Sequence, residues 1–64
     1  MVKINGESFD VIGISIAKYL SDAGYDINRV AVELNGDILA KSQYENTILC
    51  DGDSVEVVSF VGGG

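Results

Sequence analysis

The sequence predicts an α+β domain: a mixed sheet of four to five strands with one helix packed across it. Three observations carry this prediction. Short runs of alternating apolar and polar residues are punctuated by two Asn-Gly pairs, Asn5-Gly6 and Asn35-Gly36, and Asn-Gly between alternating runs is the strongest short hairpin signal. One segment, and one only, has the apolar period of a helix. One amphipathic helix can cover only one face of a sheet, so the layered solution is a sheet with the helix laid across that face.

The elements follow in order. Val2-Lys3-Ile4 and Glu7-Ser8-Phe9-Asp10-Val11 alternate on either side of Asn5-Gly6, which predicts an opening hairpin with Val2 and Ile4 on one face. Ile16, Tyr19, Leu20 and Ala23 fall at i, i+3, i+4 and i+7, a helical stripe from near Ile16 to near Ala23. Ser15 stands where an N-cap belongs and Gly24 where a left-handed C′ residue belongs. Lys18 holds the third helical position, where a capping box would place Glu. Val30, Val32 and Leu34 alternate with Ala31 and Glu33 as a half-buried strand, and Asn35-Gly36 turns the chain into the apolar pair Ile38-Leu39. Residues 40–47 have no clean period and read as an irregular crossover, with Tyr44 plugging it against the sheet. Ile48 and Leu49 rejoin the core, and Asp51-Gly52-Asp53 makes a tight turn. Ser54 to Phe60 is the last strand, with Val55 and Val57 on one face and Glu56, Val58 and Phe60 on the other.

Hairpin, helix, strand, short strand, crossover, strand is the order of the β-grasp, or ubiquitin-like, fold. A ferredoxin-like fold needs a second helix, and residues 40–47 are too short and too polar to supply one. The expected organisation is a single domain over residues 1–60 and a flexible glycine tail over 61–64.

Composition narrows the function. Ten carboxylates against four basic groups give a net charge of −6, which repels phosphates and anionic lipid headgroups and favours partners that present Lys or Arg. The reading is therefore no nucleic acid and no membrane. The N-terminus has no signal-peptide run, nothing approaches a spanning segment, and the expected setting is cytoplasmic. With no His and Cys50 as the single cysteine, neither a zinc cluster nor an internal disulfide can be built, so an efficient core must stabilise the domain.

The usual catalytic constellations are missing. There is no His to act as a base, and no Ser or Cys sits beside one. Gly62-Gly63-Gly64 lacks the Lys and the following helix of a phosphate-binding loop. Asp51 and Asp53 flank a glycine but lack the other oxygens of a calcium loop, and the turn reading is preferred. Cys50, after Ile48-Leu49, reads as a small buried hydrophobe rather than a redox or persulfide thiol, because Asp51 and Asp53 oppose a thiolate. Tyr19 reads as core. What is left is the tail, whose three glycines no side-chain packing can hold. The bland reading is a frayed end. The functional reading is a chain free of Cβ atoms that threads a narrow channel and carries its carboxylate into another protein's active site. A carboxylate resists attack by nucleophiles, and joining it to AMP would supply a good leaving group.

At this point the residues resemble the ThiS family, the bacterial sulfur carriers of thiamine biosynthesis, along the whole chain. The similarity lies in Asn5-Gly6-Glu7, Ser15-Ile16-x-x-Tyr19-Leu20 and Val30-Ala31-Val32-Glu33-Leu34-Asn35-Gly36. It continues in Leu49-x-Asp51-Gly52-Asp53-x-Val55-Glu56-Val57-Val58 and ends in Phe60-Val61-Gly62-Gly63-Gly64. Ser15-Ile16 stands where the family often has Thr-Leu, and Lys41 where it often has Arg, without the planar fork of a guanidinium. The resemblance implies that an adenylating enzyme activates the Gly64 carboxylate with ATP. Sulfur from a cysteine persulfide, supplied by a cysteine desulfurase or sulfurtransferase, then replaces AMP to leave a thiocarboxylate. Thiazole synthase would use that sulfur to build the thiazole ring. The chain would be a recycled co-substrate rather than an enzyme, with no bound cofactor and no metal. Val61, Gly62 and Gly63 would thread the partner's channel, while Val58 and Phe60, placed outward by strand alternation, would dock on it.

Three alternatives stand beside this reading. The small subunit of molybdopterin synthase shares the fold and the Gly-Gly end, but its family is usually longer and often has prolines before the tail, which this chain lacks. A ubiquitin-like modifier would join Gly64 to a lysine through an amide. A plain interaction domain would make no use of the tail.

Overall fold

In the computed structural model, which describes residues 1–60, the opening hairpin is β1 (Val2–Ile4) against β2 (Glu7–Phe9), antiparallel, with Val2 opposite Phe9 and Ile4 opposite Glu7. Its two-residue turn needs positive φ at both positions, and Asn5 at 52° and Gly6 at 85° supply it. The second strand ends at Phe9, short of the expected Val11, and Val11 instead packs half-buried against the core from the loop that follows.

The helix α1 spans Ile16–Asp22. Ser15 caps it, its Oγ accepting the Lys18 N–H at 3.0 Å, and Gly24 follows the C-cap at φ +84°. Ile16 and Leu20 are buried, and Ala17 and Tyr19 are half-buried beside them. Ala23, expected on the buried stripe, is exposed, because it is the C-cap residue beyond the last turn packed on the core. Tyr19 sits at the edge of the core rather than within it, with its ring centroid 6.3 Å from Phe9 and 6.5 Å from Tyr25.

A 3₁₀ turn over Ile27–Arg29, capped by the Asp26 carboxylate, leads into β3 (Val30–Leu34). The second Asn-Gly pair, with φ of 52° and 88°, turns β3 into β4 (Asp37–Leu39). The irregular crossover has a physical task. Its carbonyls at Thr47 and Tyr44 accept the Ile16 and Ala17 N–H groups, which the helix itself leaves without partners. Tyr44 is buried there, as its plug role predicts, and a short 3₁₀ turn at Lys41–Gln43 precedes it.

The last strand, β5 (Ser54–Ser59), inserts between β1, to which it is parallel, and β3, to which it is antiparallel. The five-stranded order is β2-β1-β5-β3-β4. One face, built from Val2, Ile4, Val30, Val32, Val55 and Val57, meets Ile16, Leu20, Tyr44 and Leu49 to form the core. Burying an aliphatic side chain of this kind contributes about 1.5–3 kcal/mol. Both turn asparagines also tie β5 in place, as Asn5 Oδ1 accepts the Val57 N–H at 2.8 Å and Asn35 Oδ1 accepts the Ser54 N–H at 2.9 Å.

Candidate functional site

Strand β5 decides which residues stand near the C-terminal exit. Its alternation sends Val55 and Val57 into the core and Glu56 and Val58 to the uncovered face. Regular pairing stops at Ser59, one residue before the expected end, and the Phe60 N–H donates to the Arg29 carbonyl at 2.7 Å. Val58 is 53 % exposed and Phe60 55 % exposed, the outward placement that strand alternation predicts. Val61, Gly62, Gly63 and Gly64, the threading segment and the expected reactive carboxylate, lie outside the described residues.

The structure adds residues to this face that the sequence reading passed over. Ala31 stands opposite Val58, Glu33 opposite Glu56, and Ile38 opposite Glu33. Ile38, the first residue of the apolar pair after the turn, is 83 % exposed. The reason is register. A two-residue turn at Asn35-Gly36 pairs Leu34 with Asp37, so Ile38 must share a face with Glu33, which points outward. Counting back from the turn would have found it. Arg29, whose carbonyl anchors Phe60, was missed because nothing in the sequence joins positions 29 and 60.

The other positions singled out in the sequence lie away from this face or in the turns. Cys50, expected to be buried, is exposed, with its Sγ 3.6 Å from the Ile48 carbonyl oxygen. Ile48, also expected in the core, is exposed too. In this extended stretch the side chains alternate, so burying Leu49 turns both neighbours outward. The Asp51-Gly52-Asp53 turn is a clasp. The Asp53 carboxylate accepts the Cys50 N–H at 2.9 Å and the Asn35 side-chain amide at 3.1 Å. The Asp51 carboxylate pairs with the Met1 ammonium, and that hydrogen bond and charge hold its carboxyl below the usual range. Burial, with smaller contributions from Tyr25 and Glu7, pushes the Tyr19 phenol up. Among the described residues no group of three or more His, Cys, Asp or Glu could hold a metal ion, and no helix is long and apolar enough to cross a membrane.

Comparison with known proteins yields one family. The family model described as "ThiS family" matches residues 2–64. The chain is similar to the sulfur carrier protein ThiS of Thermus thermophilus, at 36 % identity over 64 residues and the full length of both. It is also similar to a thiazole synthase of Paramagnetospirillum magneticum, at 40 % identity over 62 residues, which are 95 % of this chain but only 19 % of that protein. Among solved structures, the thiamine biosynthesis protein ThiS from Geobacter metallireducens superposes with a TM-score of 0.78 at 33 % identity, covering 98 % of this chain and 97 % of that one.

Proposed function

This chain belongs to the ThiS family, and we propose that it acts as a sulfur carrier for thiazole formation in thiamine biosynthesis, with Gly64 as the carrying residue. The observation that carries the reading is a family match that runs through the glycine tail to the last residue. The names of the relatives, sulfur carrier and thiazole synthase, favour the thiamine branch over molybdopterin synthesis.

The cycle has three steps. A Gly64 carboxylate oxygen attacks the α-phosphorus of ATP in an adenylating enzyme, pyrophosphate leaves, and the glycyl carbon gains AMP as a leaving group. The outer sulfur of a cysteine persulfide, supplied by a desulfurase or sulfurtransferase, then displaces AMP to form an acyl disulfide, and a second thiol attacks the donor cysteine sulfur, releasing the thiocarboxylate and leaving a disulfide on the donor side. Thiazole synthase takes that sulfur and returns the carboxylate. ATP belongs to the partner enzyme, and the chain contributes no catalytic group of its own. Its contribution is delivery and recognition. Val61, Gly62 and Gly63 thread the partner's channel, and the exposed Val58 and Phe60 dock beside it. The setting for these soluble partners is the cytoplasm.

The test is intact mass spectrometry after incubation with the adenylating enzyme, ATP, the sulfur donor and a thiol reductant. The expected product has one oxygen replaced by sulfur, and a chain lacking Gly63-Gly64 stays unmodified while melting within a degree or two of the intact protein. An unchanged mass in the intact chain refutes the reading.

A further inference from the structure

The uncovered face of the sheet carries a pair of carboxylates that the fold does not use. Glu33 on β3 stands directly opposite Glu56 on β5, and Ile38 on β4 flanks Glu33 on its other side. One row across three strands therefore reads Ile38, Glu33, Glu56, and the next row toward the C-terminus reads Ala31, Val58, with Phe60 beyond. Directly opposed residues of an antiparallel pair carry Cβ atoms about 4.5–5.5 Å apart, and like charges so placed oppose folding. Among the described residues the ion pairs join Met1 to Asp51, Lys18 to Asp22 and Arg29 to Asp26, and neither glutamate takes part. Lys3, the basic residue on this face of β1, is in register with Ser54 and joins none of those pairs. The result is a repelling pair set among exposed apolar side chains, with Ile38 more exposed than either Val58 or Phe60.

The length of chain beyond Phe60 says what covers this face. Four residues span at most about 14 Å. An enzyme acting on Gly64 must bring its active site within that distance of Phe60, so its body rests on the surface beside β5. The Glu33–Glu56 row lies four residues back along β5, roughly 13 Å from Phe60, inside the footprint of an ordinary protein interface. A second copy of this chain is a poor occupant, because stacking two such faces would bring four carboxylates together. An apolar surface is equally poor, since it would desolvate both charges without pairing them.

We propose that Ile38, Glu33 and Glu56 extend the docking face of Val58 and Phe60, and that its occupant is the enzyme that activates Gly64. That enzyme presents an Arg or Lys among apolar side chains, and the cation bridges Glu33 and Glu56. This rests on the carrier reading above. The repulsion present in the free carrier is relieved only in the complex, which favours a basic partner and rejects acidic or neutral ones.

The test uses the full-length chain, its double variant Glu33→Gln/Glu56→Gln, the variant Ile38→Ser, and the purified adenylating enzyme from the same organism. Binding is measured by calorimetry at low and high salt, and sulfur loading by intact mass. The double variant should melt at or above the wild-type temperature, bind about tenfold more weakly, and lose most of the salt dependence. Ile38→Ser should fold normally and also bind more weakly. Wild-type affinity and salt dependence in the double variant would overturn the docking proposal while leaving the carrier reading intact. So would a wild-type chain that self-associates in sedimentation and becomes monomeric on Ile38→Ser. A wild-type chain that binds the enzyme but never gains sulfur would overturn the carrier reading, and this proposal with it.

Discussion

Val57 and Val58 are neighbours in sequence on opposite faces of the central strand, so truncating each to Ala should separate folding from recognition. Val57 lies opposite Val32 and is 7 % exposed, while Val58 lies opposite Ala31 and is 53 % exposed. Val57→Ala removes two buried methyl-sized groups, about 1.6 kcal/mol of transfer free energy. The cavity left in a packed core raises the cost to about 2–3 kcal/mol. For a domain of this size that is a fall of roughly 10–20 °C in melting temperature. Val58→Ala removes the same atoms from a half-exposed site, so its transfer cost is at most about 0.8 kcal/mol, and lost strand propensity keeps the total near 1 kcal/mol. Urea unfolding with unchanged m-values measures both. Titration against the adenylating enzyme should invert the order, with Val58→Ala weakening binding and Val57→Ala close to wild type below its melting temperature. Equal stability losses, or the larger loss in Val58→Ala, would show that the register of β5 is wrong by one residue and that the docking face has been assigned to the wrong side.

Two further perturbations probe the turns that hold β5. Asn5→Ala forces Ala to φ near 52° and strips the Val57 N–H of its acceptor, at a cost of about 2–3 kcal/mol, whereas Asn5→Gly keeps the backbone relaxed and should cost about 1 kcal/mol. If Gly is as damaging as Ala in chemical denaturation, the left-handed backbone is not what selects Asn. For Asp51 the folded carboxyl titrates below its unfolded value of about 3.9, so its pairing with the Met1 ammonium stabilises the fold above that pH and is lost as pH falls through the lower folded value. The melting temperatures of wild type and Asp51→Asn should therefore differ between pH 5 and 7 and converge as the pH drops below about 4. A difference that persists or grows in acid would assign the effect to something other than this ion pair.

Much of the fold is legible in local patterns. The two Asn-Gly turns, the Ser15 and Gly24 ends of the helix, and the inward set Val2, Ile4, Val30, Val32, Val55 and Val57 each follow from a rule that spans a few residues. Tyr44 also went where its size and its place in a polar crossover suggested. The misplacements share a cause. Ile48-Leu49-Cys50 is an apolar run too short to have a period, and a one-residue shift of register exchanges inside and outside. The bonds of Leu49 to Gly13 and Ile14 turned Ile48 and Cys50 outward. The candidate site divides in the same way. Val58 and Phe60 were reachable by counting along one strand, but Glu33, Ala31 and Ile38 join them only through pairings between strands.

The sequence by itself determined the element order, the capping of the helix, and the absence of histidine or paired-cysteine chemistry. Each is a property of residue identity or of spacing within one turn or strand, where the backbone leaves few choices. Only the tertiary structure decided that β5 enters the sheet between β1 and β3, and that this insertion gathers Ile38, Glu33, Glu56 and Val58 onto one uncovered face next to the exit at Phe60. Ile38 joins Glu33 through the local Asn35-Gly36 hairpin, but Glu56 and Val58 meet β3 through hydrogen bonds between segments more than twenty residues apart, whose register depends on the closing of the core and is written in no short stretch of chain.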